Sequence, residues 1–291
     1  FPEVYVRGQG GVMDLKIHPK YPEQPWIYAT YAKKSETEVG GNTRLVRFQI
    51  NNNSITDLEV LYQGEQPSKR GQHFGSRIEF DRDGYLYFSI GDRGNRDENP
   101  QDITRDNGKI YRLHDDGNIP EDNPFVNEVG AKKAIYSFGH RNPQGMEIHP
   151  ESGKIWVHEH GPRGGDEINI IDKGVNYGWP VISYGINYSG TKFTDITEKE
   201  GMAQPFHYWV PSIAPSGMTF VRSEKYPHLN SNILVGSLKF QYVEHLVIEN
   251  DKVIKREKLL EGIGRIRSIE QGTDGYVYVG VEGVGLVKLL N

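Results

Sequence analysis

The chain of 291 residues contains no cysteine. That absence excludes disulfides, thiolate metal centres and cysteine nucleophiles, and it leaves the redox compartment undetermined, because a disulfide-free protein serves in the periplasm or the cytoplasm. No apolar run reaches the roughly 18 residues of a membrane-spanning helix. Lysine and arginine form no cluster, and the formal net charge is -5. Nucleic acid and an anionic membrane surface are therefore not expected as partners, since neither meets a basic footprint. The opening FPEVYVRGQGG has neither the charged start nor the apolar core of a signal peptide. What the chain has instead is 34 glycines, 16 prolines and 17 tyrosines with 36% hydrophobic residues. That mixture suits many short strands joined by tight turns, an all-β class.

One phrase recurs: an alternating apolar strand, a polar corner with His-Pro or Asp-Gly, then a strand rich in Tyr, Val and Ile. It is read as MDLKIHPKYPEQPWIYATY from Met13, SRIEFDRDGYLYFSIGD from Ser76 and GMEIHPESGKIWVHEHG from Gly145. It returns as GMTFVRSEKYPHLNSNILVGSLK from Gly217 and IRSIEQGTDGYVYVGVEG from Ile266. Such copies, spaced by roughly 50 to 70 residues, predict a β-propeller in which each copy supplies the inner strand pair of a blade. The expected organisation is a single propeller domain over residues 1–291. Loops at the inner-strand ends are then the place to look for chemistry.

Three loop constellations stand out, and each has an ordinary structural alternative. GQHFGSR places His73 just before an inner strand, where an imidazole would serve as a general base or simply pack in a turn. FGHRNPQGM places Arg141 and Asn142 before the third copy, a planar fork of donors beside an amide, or a structural turn. Lys239, Arg265 and Arg267 form a cationic set. Because residues 265 and 267 share one face of a strand, a buried pair would demand an anion between them; surface salt bridges are the alternative. The run HGPRGGDEINIIDKGVNYGWP from His160 adds turn glycines and the carboxylates of Asp166 and Glu167, oxygen donors of the kind calcium takes, or a solvated acidic turn.

GQGGVMDLKIHP, GQHFGSR, GKIYRLHDDGNIPEDNPF, GHRNPQGM, HGPRGGDEINI, NYGWP and SIAPSGM, in that order, resemble the soluble PQQ-dependent aldose sugar dehydrogenases of the glucose/sorbosone dehydrogenase family. The resemblance runs from Gln9 to the C-terminus. It implies a six-bladed propeller, exported to the periplasm or beyond, that uses pyrroloquinoline quinone (PQQ) and calcium to oxidise the anomeric hydroxyl of aldoses to lactones. It further implies His73 as general base and Arg141 as the group that stabilises charge on the reduced cofactor. By the same resemblance Gln9, Asn142, Lys239, Arg265 and Arg267 contact PQQ. The carbonyls of Gly161 and Pro162 would hold the catalytic calcium, and Glu167 and Tyr177 belong to a second, structural calcium site.

Two departures accompany the match. Gln72 stands where the glucose-oxidising branch has Asp and the aldose branch commonly Asn. Relatives also carry a further inner-strand phrase upstream, so the first blade is expected to be incomplete or missing here. The preferred sugar, the electron acceptor and the oligomeric state are not readable from the residues. Two other functions fit the fold: a non-enzymatic recognition propeller, which would lose the cationic and histidine set, and a calcium-dependent lactonase, which would need acids where this chain has Arg, Lys, His and Asn.

Overall fold

A computed structural model describes Phe1 and residues 3–290. Among the described residues it contains nineteen strands and no helix, and hence none long and apolar enough to cross a membrane. The strands form five antiparallel sheets in chain order, a five-bladed propeller arrangement, one blade fewer than the six the resemblance implies. The first blade comprises β1 (Val12–Ile17), β2 (Ile27–Lys34), β3 (Gly41–Asn51) and β4 (Ser54–Gln63). The second comprises β5 (Ile78–Phe80), β6 (Leu86–Ile90), β7 (Lys109–Leu113) and β8 (Ile135–Phe138). The third has β9 (Pro143–Ile148), β10 (Ile155–Glu159), β11 (Asp166–Ile171) and β12 (His207–Trp209). The fourth has β13 (Pro215–Phe220), β14 (Ile233–Ser237), β15 (Val243–Glu249) and β16 (Lys252–Leu259), and the last is three-stranded, with β17 (Ile266–Gln271), β18 (Val277–Val281) and β19 (Gly285–Lys288). Each recurring phrase is the first hairpin of a blade.

The corners recur for a chemical reason. At the β1–β2 corner His18 Nδ1 accepts the amide of Lys20 at 3.0 Å. At the β5–β6 corner Asp81 Oδ1 accepts the amides of Asp83 and Tyr85 at 3.0 and 2.9 Å, and Asp274 Oδ1 takes the amide of Tyr276 at 3.1 Å. A short side-chain acceptor that satisfies backbone donors ahead of it closes the turn, so His-Pro and Asp-Gly are interchangeable there. Two outer hairpins use the other turn chemistry: Asn52–Asn53 and Asn250–Asp251 hold consecutive positive φ angles (47° and 61°; 49° and 58°), as a two-residue type I′ turn requires.

Two compact units group the residues: one of 1–143, 171–182 and 198–203, the other of 144–170, 183–197 and 204–291. In the first, Tyr28, Leu45, Ile78, Phe80, Phe88, Ile90 and Tyr111 pack into one core that joins the first two blades. Lys16 reinforces the joint by binding Glu79 at 2.7 Å. In the second, Trp156, Ile168, Trp209, Met218, Phe220 and Leu246 form one cluster, and Leu234, Ile266, Ile269 and Val279 belong to another. Burial of these apolar faces between successive sheets is what holds blades that are individually too thin to be stable.

Candidate active site

Within the first unit, the segment before β5 meets the loop after β6. His73 has a left-handed backbone, φ 56°, and its amide donates to Gln9 Oε1 at 2.8 Å. Gly91 makes the approach possible: a Cβ there would lie 2.4 Å from the carbonyl oxygen of His73, so any other residue would push the two segments apart. The next residue, Asp92, is 1% exposed, and its Oδ1 lies 2.7 Å from His73 Nδ1. Oδ1 also accepts the amide of Gly94 at 2.6 Å, while Oδ2 accepts Trp179 Nε1–H at 2.9 Å.

The electrostatics follow from these contacts. Burial works to raise the Asp92 carboxyl, but the His73 hydrogen bond, the charges of His73 and Arg141 and the Gly94 amide together hold it below its ordinary value. An ionised carboxylate only accepts, so the proton of the pair sits on His73 Nδ1 and the lone pair on Nε2. Burial is the largest influence on His73 and lowers its affinity for a proton; the Asp92 bond opposes this, and the charges of Arg141 and Arg93 add to it. The net shift is downward, so the ring is neutral at neutral pH, as a base must be before reaction.

The neighbours are held as firmly. Arg93 lies over the Phe74 ring at 3.4 Å and donates to the carbonyls of Gly41, Arg70 and Gln72, pinning the segment that carries His73. Arg141 is buried with its guanidinium 5.3 Å from the Trp179 ring centre. Asn142, also buried, accepts the Gly75 amide at 3.2 Å. Tyr177 stacks on His140 at 4.8 Å, and its hydroxyl accepts the Asp172 amide at 2.8 Å.

The second unit holds the remaining candidates. Gly161 is in a turn so tight that a Cβ would lie 2.3 Å from the Gly164 and Gly165 oxygens. Asp166 ties that turn: its carboxylate accepts the amides of Gly161, Ile213 and Ala214 at 2.9, 2.8 and 2.9 Å and the Ser212 hydroxyl at 2.7 Å. It is thus a structural pin, not the hard cation ligand its sequence position first invites. Asp166→Ala would leave several buried donors unmet and is expected to cost about 3 kcal/mol or more of stability, read as a lower denaturation midpoint.

Next in sequence, Glu167 is pushed well above the usual carboxylate range, by burial first and by the charges of Glu159 and Asp166, against a lowering bond from Asn169. Asn169 donates to Glu159 Oε1 at 3.2 Å, and its own Oδ1, shielded from water, has no hydrogen-bond partner among the described residues. The buried Glu159 carboxylate, the part-buried Glu167 carboxylate and an unsatisfied amide oxygen are donors of the kind a hard cation such as calcium takes, although no group of three or more His, Asp or Glu side chains that could hold a metal occurs among the described residues.

Lys239 is exposed, its Nζ 4.8 Å from the centre of the Phe240 ring. Arg265 and Arg267 do share a face, but that face is not buried: their side chains are 45% and 53% exposed. The anion between them is this chain's own Glu282, which accepts from Arg265 Nε at 3.1 Å and from Arg267. The premise that a buried arginine pair demands an external anion is thereby corrected.

Two residues that hold the candidate site together escaped the reading of the sequence. Asp92 closes the second copy of the recurring phrase, where a carboxylate directly after a buried strand was a usable signal. Trp179 lies in a motif that was noted, but its contact with Asp92 spans 87 residues and leaves no local trace.

The fold is thus a five-bladed propeller with a desolvated histidine–carboxylate pair in its first unit. The family model for glucose/sorbosone dehydrogenase matches residues 1–288, and the chain belongs to that family. It is 41% identical over 286 residues to aldose sugar dehydrogenase YliI of Escherichia coli, spanning 96% of this chain and 76% of that protein. A crystal structure of a glucose dehydrogenase superposes with a TM-score of 0.95 at 36% identity, covering all of this chain and 85% of the other. The PQQ-bound aldose sugar dehydrogenase of Streptomyces coelicolor gives 0.76 at 26% identity, over 98% and 78%.

Proposed function

We propose that this chain is a sugar dehydrogenase that oxidises the anomeric hydroxyl of an aldose to the lactone, with PQQ as cofactor and calcium as its metal. The observation that carries the proposal is the His73–Asp92 pair, which keeps a neutral imidazole with Nε2 as the basic atom. Family membership and the PQQ-bound relative support the cofactor.

In this reading His73 Nε2 takes the anomeric hydroxyl proton while C1 gives up its hydride, and Asp92 stabilises the imidazolium that forms. When bound, PQQ supplies the two-electron acceptor for that hydride. Arg141 stabilises the negative charge that results. Gln9, Asn142, Lys239, Arg265 and Arg267 are assigned to hold the cofactor, whose three carboxylates suit the cationic members of the set. The Gly161 and Pro162 carbonyls are assigned to the catalytic calcium, and Glu167 and Tyr177 to a structural one. We place the activity outside the cytoplasm, as the family resemblance implies.

If Glu167 serves a calcium site, added calcium raises the thermal midpoint of the cofactor-free protein, and Glu167→Gln abolishes most of that rise. An equal rise in both proteins would remove Glu167 from the site. The function is tested by adding PQQ and calcium to purified protein and following dye reduction across a panel of aldoses. Aldose-dependent reduction with lactone as product supports the assignment, and tight PQQ binding with no turnover on any aldose contradicts it.

A further inference from the structure

Trp179 is held along its backbone: its amide donates to the Gly139 carbonyl at 2.9 Å, and its carbonyl accepts Gln101 Nε2–H at 2.8 Å. Gln101 is fixed in turn by a reciprocal pair with Asn176 at 2.7 and 3.0 Å. With both backbone groups tied and the ring buried, the indole N–H is aimed at Asp92 Oδ2.

We propose that Trp179 is a positioning residue for the His73–Asp92 pair: its indole N–H occupies Asp92 Oδ2, stops the carboxylate from rotating and commits Oδ1 to His73, and so sets the basicity of His73 Nε2. An N–H donor draws charge from a carboxylate, since hydrogen bonds to ionised groups are the stronger ones. Removing it leaves more charge at Oδ1 to favour the imidazolium, while loosening the geometry that points Nε2. The charged groups acting on His73 are Asp92, Arg141 and Arg93; the variant chosen here keeps all three and keeps an aromatic ring beside Arg141. The role rests on His73 acting as the base, but its first test does not need the cofactor.

The variant is Trp179→Phe, which keeps a buried aromatic ring and loses the indole N–H together with part of the ring volume. The control is Trp209→Phe, because Trp209 is also buried and donates its Nε1–H to the Glu244 carboxylate at 2.8 Å in the other unit. The His73 ring is titrated by NMR in cofactor-free protein, its signal assigned by its loss in His73→Ala. An upward shift of about half a unit or more in Trp179→Phe, with none in Trp209→Phe, supports the proposal. No shift, or the same shift in both variants, overturns it.

In protein loaded with PQQ and calcium, Trp179→Phe should lower kcat about tenfold and move the acid limb of the pH profile upward. Wild-type turnover with an unmoved limb in Trp179→Phe overturns the positioning role and spares the dehydrogenase reading. Absence of aldose turnover in the wild type alongside the NMR shift does the reverse. Should Trp179→Phe fail to fold, the indole N–H signals of the four tryptophans are followed against pH in wild type and His73→Ala. One indole that titrates with the His73 midpoint and ceases to do so in His73→Ala supports the proposal, and none doing so overturns it.

Discussion

His73→Ala is expected to lower aldose turnover by about two or more orders of magnitude, the scale of a lost general base. The fold should survive the change, because Asp92 keeps its bonds from Gly94 and Trp179. PQQ affinity should change far less than kcat, since what is lost is proton transfer. The check is kcat and cofactor affinity measured on the same preparation. Near-normal turnover would remove His73 from its role; equal losses in binding and rate would make it a structural residue.

Asp92→Asn is expected to be nearly as damaging, again by about two orders of magnitude in kcat. The carboxylate meets a donor at each oxygen, His73 Nδ1–H and Gly94 N–H on one side and Trp179 Nε1–H on the other. An amide must turn its NH₂ toward one of them. Facing Trp179, it sets two donors against each other. Facing His73, it drives the ring proton onto Nε2 and removes the basic atom. The pH dependence gives an independent sign. Asp92 raises the His73 pKa through its hydrogen bond and its charge, so its loss moves the base to a still lower pKa. Residual activity in the variant should therefore persist to lower pH than in the wild type, whose activity falls as acid protonates His73. An acid limb that moves upward would contradict the assignment of Asp92.

The propeller was legible because its signal is local and repeated. A short side-chain acceptor that takes the amide two residues ahead marks each corner, Ser223 in the fourth blade and His or Asp in the other four, and the same strand pattern flanks it, so the first hairpin of every blade could be placed from the residues alone. The candidates His73, Arg141 and Asn142 could be named for a different reason: they lie in short motifs that carry the family resemblance. What could not be read was pairing at a distance. The alternation of Arg265 and Arg267 correctly gave a common face, but the exposure of that face and the presence of Glu282 depend on the strand β18 that follows and the turn after it. Asp166 looked like a metal ligand because it is acidic and sits in a glycine-rich turn, and only the fold shows its oxygens already filled by backbone donors. The Trp179 bond belongs to the same group, since nothing near Trp179 in sequence points to Asp92.

The most direct measurement is anaerobic single-turnover reduction of PQQ-loaded, calcium-replete protein on mixing with an aldose, with wild type and His73→Ala compared at equal cofactor occupancy. The account predicts rapid sugar-dependent reduction of the quinone absorbance in the wild type and reduction at least about a hundredfold slower in the variant. Equal rates in the two proteins, or no reduction in a fully loaded wild type, would contradict it.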